Sequence, residues 1–503
     1  MASTDTQAPV LERVGYRLSR VVERWMPSPF LFAILLTYGV FVAGVGLGQL
    51  GMIGGADPDG PVEMVELWYG GFWDFLGFSM QMALILMTGF ALAYHPRAND
   101  LLVWLAERAR SARQAVALVA AFSMAVAWIH WGFSLILGAI FAREMGKVAH
   151  QRDIDVHYPL LCVAGYMGLG LTWHWGLSGS APLLLTDASA VGEGTAFDML
   201  SGTIPASETI LHPYGIALTA LSVGFAALVL VLITPSGERA RGITEYIPEE
   251  ELFGTETDGG SVTRQTAAVV PAELVVDVRD RPVVPDPGTL GLARALLGRV
   301  QHCPGPVAAG GVGYIAWLFV TEGRSALALN VVNFGFLMAG LLLWTNPAAY
   351  REKFGEAATA AAGIVLLFPF FAGLQGMMAG SGLAGAVADG LIDLSTEGTF
   401  PVFAWLTAAV VNLFVPSGGG EWIVLGPSVL EAAQNVGVEP AHATMAYAVG
   451  DAHTNLLNPF WAIPLLAITR IKAREMFGYA VVMLLALIPF LAAVLFLLPY
   501  GFA

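Results

Sequence analysis

Several long apolar runs, almost free of charge, constrain this chain more than any other feature of its sequence. They cover residues 30–47, 80–93, 216–233, 357–371 and 478–498. A hydrocarbon core about 30 Å thick requires about 20 apolar residues per crossing helix. No β-barrel alternation is present, and a helix satisfies its own backbone hydrogen bonds in lipid. The sequence therefore predicts an all-α polytopic membrane protein embedded in the lipid bilayer.

The composition supports this class and excludes others. Of the 503 residues, 56% are hydrophobic and 13% are charged, and the formal net charge is −15. The sequence contains no basic patch for nucleic acid, no Walker-type loop for ATP and no cofactor fingerprint. The acidic loops indicate either ordinary solvation or adaptation to high salt. We expect no cleavable signal peptide, no disulfide from Cys162 and Cys303, and no bound metal or cofactor.

The distribution of Arg and Lys predicts the topology, because these residues favour the cytoplasmic ends of spans. Arginines within residues 12–25 place the N-terminus inside, and residues 51–66 and 389–397 are expected to be acidic outer loops. The stretches 115–142 and 400–433 carry similar charges on both flanks, so each is predicted to be a re-entrant hairpin. The result is about nine full spans plus two hairpins, with the C-terminus outside.

The order of these segments occurs twice along the chain. Each half reads span, span, hairpin, interrupted span, final span, and Tyr166 through Pro182 echoes Tyr447 through Pro464. An extra span at 305–321 would turn the second half upside down, as in many secondary transporters. The predicted organisation is an amphipathic N-terminus (1–27), a first transmembrane repeat (28–235), a polar cytoplasmic linker (236–300), a connecting span (301–326) and an inverted second repeat (327–503).

Both hairpins and both interrupted spans contain stretches unsuited to a helix interior, at residues 128–134, 173–180, 415–422 and 451–459. Irregular backbone at membrane depth is tolerated where it is buried in protein or lines a cavity. Half-helix N-termini can hold an anion there, while carbonyl and side-chain oxygens can coordinate a cation. This predicts a carboxylate site with a coupling Na⁺ or H⁺, although small residues also serve close helix packing.

These stretches supply the candidate site residues. The predicted solute-binding residues are Ser178, Gly179, Ser180, Ser417, Gly418, Gly419, Gly420, His130, Trp131, His174 and Glu421. The predicted coupling-ion residues are Asn412, Thr454, Asn455 and Asn458. Ionisable residues within a membrane are costly and usually functional, which also draws attention to His453 with Asp451 nearby. Each histidine can instead be a neutral residue that is hydrogen-bonded to a neighbour.

Several ordered motifs resemble those of the short-chain fatty acid transporters, over about residues 12–496 and most weakly in the linker. They are Trp25-Met26-Pro27, Gly71-Phe72-Trp73, Met80 to Leu84, Trp131-Gly132-Phe133, Gly138, Phe141-Ala142-Arg143-Glu144, Ser178 to Leu184, Pro416 to Gly420, Gly426-Pro427 and Pro459 to Ala462. The resemblance implies a multi-pass permease of the inner cell membrane for acetoacetate- or butyrate-like acids. Related transporters often pair, so it also allows a homodimer. His130 and Glu421 depart from the residues usual in that family.

The leading hypothesis is a secondary transporter of short-chain monocarboxylates, cation-coupled and working by alternating access. A transporter of another solute, such as a dicarboxylate, an amino acid or an efflux substrate, stays open because few side chains separate these substrates. An intramembrane serine hydrolase is a further alternative. It rests on the Gly176-Leu177-Ser178-Gly179 pattern with His453 as a base. The inverted repeat has no role in such an enzyme.

Overall fold

The computed structural model of the protein describes residues 29–53, 60–192, 195, 197–235, 237–253, 304–344, 346–413 and 417–501. Every regular element in these ranges is a helix, which confirms the all-α class. The predicted N-terminal segment 1–27 and most of the predicted linker lie outside the described residues.

Within its described residues, the first half contains nine α-helices. They are α1 (Pro29–Gln49), α2 (Pro61–Gly71), α3 (Leu76–Ala93), α4 (Pro96–Ala106), α5 (Ala112–Ile129), α6 (Trp131–Gln151), α7 (Tyr158–Tyr166), α8 (Ser180–Leu184) and α9 (Pro213–Leu232). A π-helical turn, Gly168–Thr172, continues α7 before the chain becomes irregular. Proline in the first turn of α2, α4, α7 and α9 favours these starts, because its missing N–H would have no intrahelical acceptor there.

After the short helix α10 (Glu249–Phe253), the second half follows the same order. Its helices are α11 (Pro304–Glu322), α12 (Leu329–Trp344), α13 (Pro347–Gly380), α14 (Leu383–Leu394), α15 (Phe400–Asn412), α16 (Gly418–Val436), α17 (Pro440–Thr454), α18 (Pro459–Thr469) and α19 (Ala473–Leu497). A 3₁₀ turn, Asn455–Leu457, separates α17 from α18.

The two halves match helix for helix once α11 is set aside. The helix α12 corresponds to α1, α13 to α2 with α3, α14 to α4, and the pair α15–α16 to α5–α6. Both α4 and α14 pack on the second hairpin helix of their own half, and both α5 and α15 pack on the interrupted helix that follows. Across the halves, α1 packs on α13 while α12 packs on α3. This exchange of partners is what a two-fold relation between the halves produces.

Five of the described helices are long and apolar enough to cross a membrane. They are α3, α5, α9, α19 and the Ala361–Gly380 part of α13. Four shorter apolar helices fall below that length, partly because the interrupted spans and hairpins divide their apolar stretches. Large apolar side chains such as Leu35, Val42 and Val320 are exposed on the outer surface. Such extensive apolar exposure suits contact with lipid.

The expectation of outer loops was wrong in two places. Residues 61–71, at the end of one predicted loop, form α2, and Asp389 and Asp393 of the other lie on α14. Both helices are short and carry acids on an exposed side, so the acidic composition concealed the apolar face that each buries. Met64 of α2 and Leu391 of α14 are buried.

Glycine permits the closest helix contact in the first half. The helices α6 and α7 cross where Gly138 faces Gly165, and a Cβ at Gly138 would lie only 2.1 Å from the Gly165 carbonyl oxygen. No side chain fits between backbones at that separation. The crossing brings the hairpin helix α6 against the interrupted helix, and so positions both stretches of irregular backbone.

The described start of the linker, residues 237–253, is here called the strap. It lies across the ends of helices from both halves. Tyr158 donates its N–H to the Arg241 carbonyl at 2.8 Å, and His157 Nδ1 accepts the Arg241 N–H at 3.1 Å. On the other half, Glu251 lies 3.4 Å from Arg470. Ile243 of the strap is fully buried.

Candidate functional site

The tips of the two helical hairpins have the same construction. His130 is the N-cap of α6 and accepts the Phe133 N–H at 3.1 Å through Nδ1. Ser417 is the N-cap of α16 and accepts the Gly420 N–H at 3.3 Å through Oγ. Each cap satisfies one of the free N–H groups of the first helical turn. The N-terminus of a helix thus lies at each tip.

Trp173 lies between the two tips and joins them. Its ring centroid is 5.9 Å from that of Trp131 at the first tip. A Cβ at Gly418, on the second tip, would lie 2.6 Å from Cη2 of Trp173. The Trp131 N–H donates to Ser178 Oγ at 2.9 Å, which ties the first tip to the irregular stretch 173–179. The predicted residues Trp131, Ser178 and Gly418 therefore belong to one buried region.

A histidine and an aspartate form the polar centre of this region. Nε2 of His174 accepts the Ala181 N–H at 3.1 Å and lies 2.8 Å from Ser180 Oγ. A backbone N–H can only donate, so the hydrogen of the neutral ring must be on Nδ1. That nitrogen lies 2.5 Å from Oδ2 of Asp451. Both side chains are fully buried, so His174 and Asp451 form a close buried pair in which neither Nδ1 nor Oδ2 has a well-aligned hydrogen-bond partner among the described residues.

Glu421 extends this centre from the first turn of α16. It is fully buried and lies beside Asp451 and the hydroxyl of Tyr447. Neither of its carboxylate oxygens receives a well-aligned hydrogen bond from the described residues. We call His174, Asp451 and Glu421 the acid cluster. A buried carboxylate without donors is strongly disfavoured in its charged form, so this carboxyl must gain a proton or a partner.

The predicted coupling-ion residues meet beside the acid cluster. Asn412 Nδ2 donates to the Asp451 carbonyl at 2.7 Å, to Thr454 Oγ1 at 2.9 Å and to Asn455 Oδ1 at 3.1 Å. Tyr166 of the first half donates to the carbonyls of Asn455 and Asn458, at 3.1 and 3.3 Å. The two halves are thus joined at their interrupted helices.

This arrangement is matched by clear sequence relationships. The family model described as short chain fatty acid transporter covers residues 10–274 and 306–498. The chain belongs to the short-chain fatty acid transporter family. A protein of Escherichia coli K12 that bears this name is 35% identical over 476 residues, spanning 95% of this chain and 97% of its own length. A protein of the same name from Haemophilus influenzae Rd is 32% identical over 486 residues, spanning 95% of this chain and 98% of its own length.

A solved structure shares the fold of the present chain. The crystal structure of the Alcanivorax borkumensis YdaH transporter, whose topology is described as unusual, covers 93% of this chain and 98% of its own. The TM-score is 0.53 and the sequence identity is 17%. Together, the relatives and the apolar helices confirm a multi-pass membrane transporter rather than an enzyme.

The local contacts of Ser178 agree with a transporter and give no support to a serine hydrolase. Its hydroxyl oxygen accepts the Trp131 N–H instead of pairing with a base. Neither candidate histidine approaches it as a base, because Nε2 of His453 lies 2.9 Å from the Leu484 carbonyl and His174 contacts Ser180. The hydrolase hypothesis is therefore abandoned.

Some predicted solute-binding residues of this short-chain fatty acid transporter lie away from the acid cluster. His130 packs on Phe336, with ring centroids 4.0 Å apart. A Cβ at Gly419 would meet Phe78 and Phe368, while one at Gly420 would meet Phe371. Gly179 turns tightly against the His174 carbonyl. These residues shape the region, and their assignment to the solute stays a prediction.

The predicted site does not include Asp451, Tyr447 and Trp173. The sequence draws attention to Asp451 only as a neighbour of His453, because nothing in it indicates that His174 contacts Asp451 across the two halves. The signal that could have found it is an isolated acid within an apolar helix, which is rarely placed there without a function. No group of three metal-ligating side chains suited to a metal ion occurs among the described residues of the transporter.

Proposed function

We propose that this transporter carries short-chain monocarboxylates, such as butyrate or acetoacetate, across the cell membrane by cation-coupled alternating access. The observation that carries the proposal is the meeting of two hairpin tips, with their helix N-termini, around a buried polar region. Helix N-termini favour anions because their N–H groups and dipoles point at the ligand. The family relationship directs the choice of anion toward short fatty acids.

The surroundings of the tips suit a small acid with a short apolar tail. Trp131 packs against both Trp173 and Trp461, with ring centroids 5.9 and 5.6 Å apart. Phe78 and Phe368 pack beside Gly419 at the second tip. We propose that Ser178–Ser180 and Ser417–Gly420 hold the carboxylate, while the aromatic rings accept the alkyl chain.

Burial supports the proposed alternating access. His174, Ser178 and Glu421 are fully buried, and Ser417 is 5% exposed. A solute therefore requires movement of at least one hairpin before it can reach these residues. We propose that the first and second hairpins open toward opposite sides of the membrane, as inverted repeats permit.

We further propose an inner-membrane location with a cytoplasmic N-terminus and an extracytoplasmic C-terminus. Charged residues at the helix ends support this orientation. Arg97, Arg143, Lys147, Arg152 and Arg470 flank segment ends that we assign to the cytoplasm. Pairing of two copies is proposed from the resemblance alone.

The test is uptake of radiolabelled acetoacetate by purified protein in liposomes, under an imposed pH gradient or an imposed Na⁺ gradient. Acetoacetate is preferred to butyrate because its extra carbonyl makes the acid more polar and slows unaided passage through lipid. The variant Ser417→Ala, Gly419→Ala tests the second tip, and Gly390→Ala on α14 is the control, since nothing lies within 4 Å of a Cβ there.

We expect gradient-driven uptake by the wild-type protein and Gly390→Ala, and loss of uptake in the double variant. Uptake no greater than in protein-free liposomes under both gradients would reject the monocarboxylate assignment. Competition by unlabelled dicarboxylates or amino acids, with no competition by butyrate, would favour another solute.

A further inference from the structure

The acid cluster has a composition and a burial that no packing role explains. His174, Asp451 and Glu421 come from three separate elements: the irregular stretch after the π turn, α17 and α16. All three side chains are fully buried. Both carboxylate oxygens of Asp451, both of Glu421 and Nδ1 of His174 lack a well-aligned hydrogen-bond partner among the described residues. A structural network would normally satisfy such oxygens.

Charge counting shows what the cluster requires. With neutral His174 and two ionised carboxylates, the buried charge would be two negative units, in the region where an anionic solute is proposed to bind. Among the described residues, no lysine or arginine lies within ion-pairing distance of either acid. One proton shared by His174 and Asp451 and a second on Glu421 would make the cluster neutral. Neutrality would remove the repulsion of the solute.

The groups that face Glu421 from neighbouring helices supply no competing cation. From α17 it faces Asp451 and Tyr447. From α13, Phe368 and Phe371 pack against the adjoining glycines of α16. The acids of α14, Asp389 and Asp393, lie on its exposed side. Helix α15 contains no titratable side chain, and α8 contains none either. Among the residues that the structure describes, His174 is the only close cationic candidate for Asp451.

The neighbouring polar residues Asn412, Thr454 and Asn455 surround a hydrogen-bond donor rather than a site arranged for Na⁺. The amide nitrogen of Asn412 occupies the point on which the Asp451 carbonyl, Thr454 Oγ1 and Asn455 Oδ1 converge. A cation at that point would have to displace the amide and would need further oxygens. The Asp451 carbonyl, Thr454 Oγ1 and Asn455 Oδ1 are therefore already engaged, whereas Asn412 Oδ1 is buried without a hydrogen-bond partner among the described residues.

We propose that Glu421, together with the His174–Asp451 pair, is the proton-binding site that couples this transporter to a pH gradient. This inference rests on the proposed function and assigns its coupling ion. In each cycle the Glu421 carboxylate takes up one proton as the carboxylate solute binds, and both leave on the opposite side. No covalent bond to the solute forms or breaks, and the combined movement of H⁺ and RCOO⁻ transfers no net charge.

The transport test compares two assays on Glu421→Gln, which keeps the shape of the protonated side chain. Exchange of labelled for unlabelled acetoacetate requires no net proton movement, whereas accumulation under a pH gradient does. We expect exchange near the wild-type rate, with the accumulation ratio falling to about 1, the value for uncoupled equilibration. Glu431→Gln, an exposed position on the same helix, is the matched control and should retain both activities.

A second measurement does not depend on the solute. The infrared difference spectrum of the purified protein between acidic and alkaline buffer should contain a carboxylic-acid C=O band. Glu421→Gln should lose this band, and Glu431→Gln should keep it. If the band is present but no monocarboxylate is transported, the proton site stands and the solute assignment falls.

Three results would overturn the inference. One is accumulation by Glu421→Gln under a pH gradient at the wild-type ratio. Another is the absence of a titrating carboxylic-acid band that distinguishes wild type from Glu421→Gln. Accumulation driven by Na⁺ at equal pH on both sides, with no proton movement, would also reject the assignment of H⁺ as the coupling ion.

Discussion

Gly418 stands where the second hairpin tip meets the rest of the site. A Cβ at this residue would lie 2.8 Å from Oδ2 of Asp451, 2.8 Å from Cε1 of His174 and 2.6 Å from Trp173. Real Cβ atoms do not approach other heavy atoms so closely, so an added methyl would push the tip away from the acid cluster. Glycine here is needed for close approach, and its backbone lies in a helical first turn.

Gly418→Ala should therefore impair transport more than it impairs folding. We expect the free energy of unfolding to fall by about 1–3 kcal/mol, the usual cost of overpacking, and acetoacetate uptake to be lost. Thermal melting of the detergent-solubilised protein and liposome uptake provide the two readouts. Gly390→Ala should leave both near wild type, because a Cβ there meets open space. Full transport by Gly418→Ala would show that the tip tolerates displacement.

At the level of elements, the strap is the feature that joins the two halves outside the apolar core. It pairs with the His157–Tyr158 end of α7 through two backbone-directed hydrogen bonds. It also approaches the α18–α19 junction through Arg241 and Glu475, 3.9 Å apart. These exposed ion pairs contribute little, so the buried contacts around His157 and Ile243 carry most of the attachment.

Attachment of the strap should depend on pH through His157. Burial lowers the pKa of this histidine to about 4 from its ordinary value of 6.5, and the charge of Arg241 adds to the lowering. Neutral Nδ1 accepts the Arg241 N–H, and protonation would remove that acceptor. Since the folded pKa is depressed, this stability is complete above about pH 6.5 and is lost as pH falls toward 4, by up to about 3 kcal/mol.

Limited proteolysis within the strap and thermal melting, each compared between pH 7.5 and pH 4.5, would measure this effect. We expect the wild-type strap to become more susceptible at the lower pH. His157→Gln keeps a hydrogen-bond acceptor without a titrating group, so its difference between the two pH values should be smaller. His212→Gln, at the end of α9 that lies away from the strap, should retain the wild-type difference. An unchanged pH response in His157→Gln would contradict the assignment.

For the molecule as a whole, the unpaired helix α11 determines how the halves are related. Each half has an even number of predicted crossings, so alone it would begin and end on one side. In the proposed topology, one additional crossing between them would invert the second half and place the two chain ends on opposite sides. Helix packing supports the two-fold relation independently, since α1 and α12 exchange partners across the halves.

Reporter fusions would test this inversion. Green fluorescent protein folds in the cytoplasm and alkaline phosphatase requires an oxidising compartment, so the pair reports opposite sides. We expect a fusion after Phe253 to fluoresce and a fusion after Ala503 to show phosphatase activity only. Fluorescence from both fusion sites would place both ends of the second half in the cytoplasm and would contradict the orientation.

The sequence alone determined the membrane class, the positions of the helix pairs α5–α6 and α15–α16, the repeated helix order and the family, because each depends on local properties. Apolar length, charged flanks, glycine-rich interruptions and ordered motifs are all visible within short windows of sequence. The acidic residues Asp389 and Asp393 led to the wrong prediction of a loop, because local polarity gives no sign that α14 buries its other face.

Only the tertiary structure decided which polar residues meet. His174 and Asp451 are close because the interrupted helices of the two halves face each other, and that contact leaves no periodicity in the sequence. Similarly, the sequence placed His130 and Glu421 together as candidates, yet His130 packs on Phe336 while Glu421 joins the acid cluster. The burial of an ionisable side chain follows from local hydropathy, whereas its partner depends on the path of a distant segment.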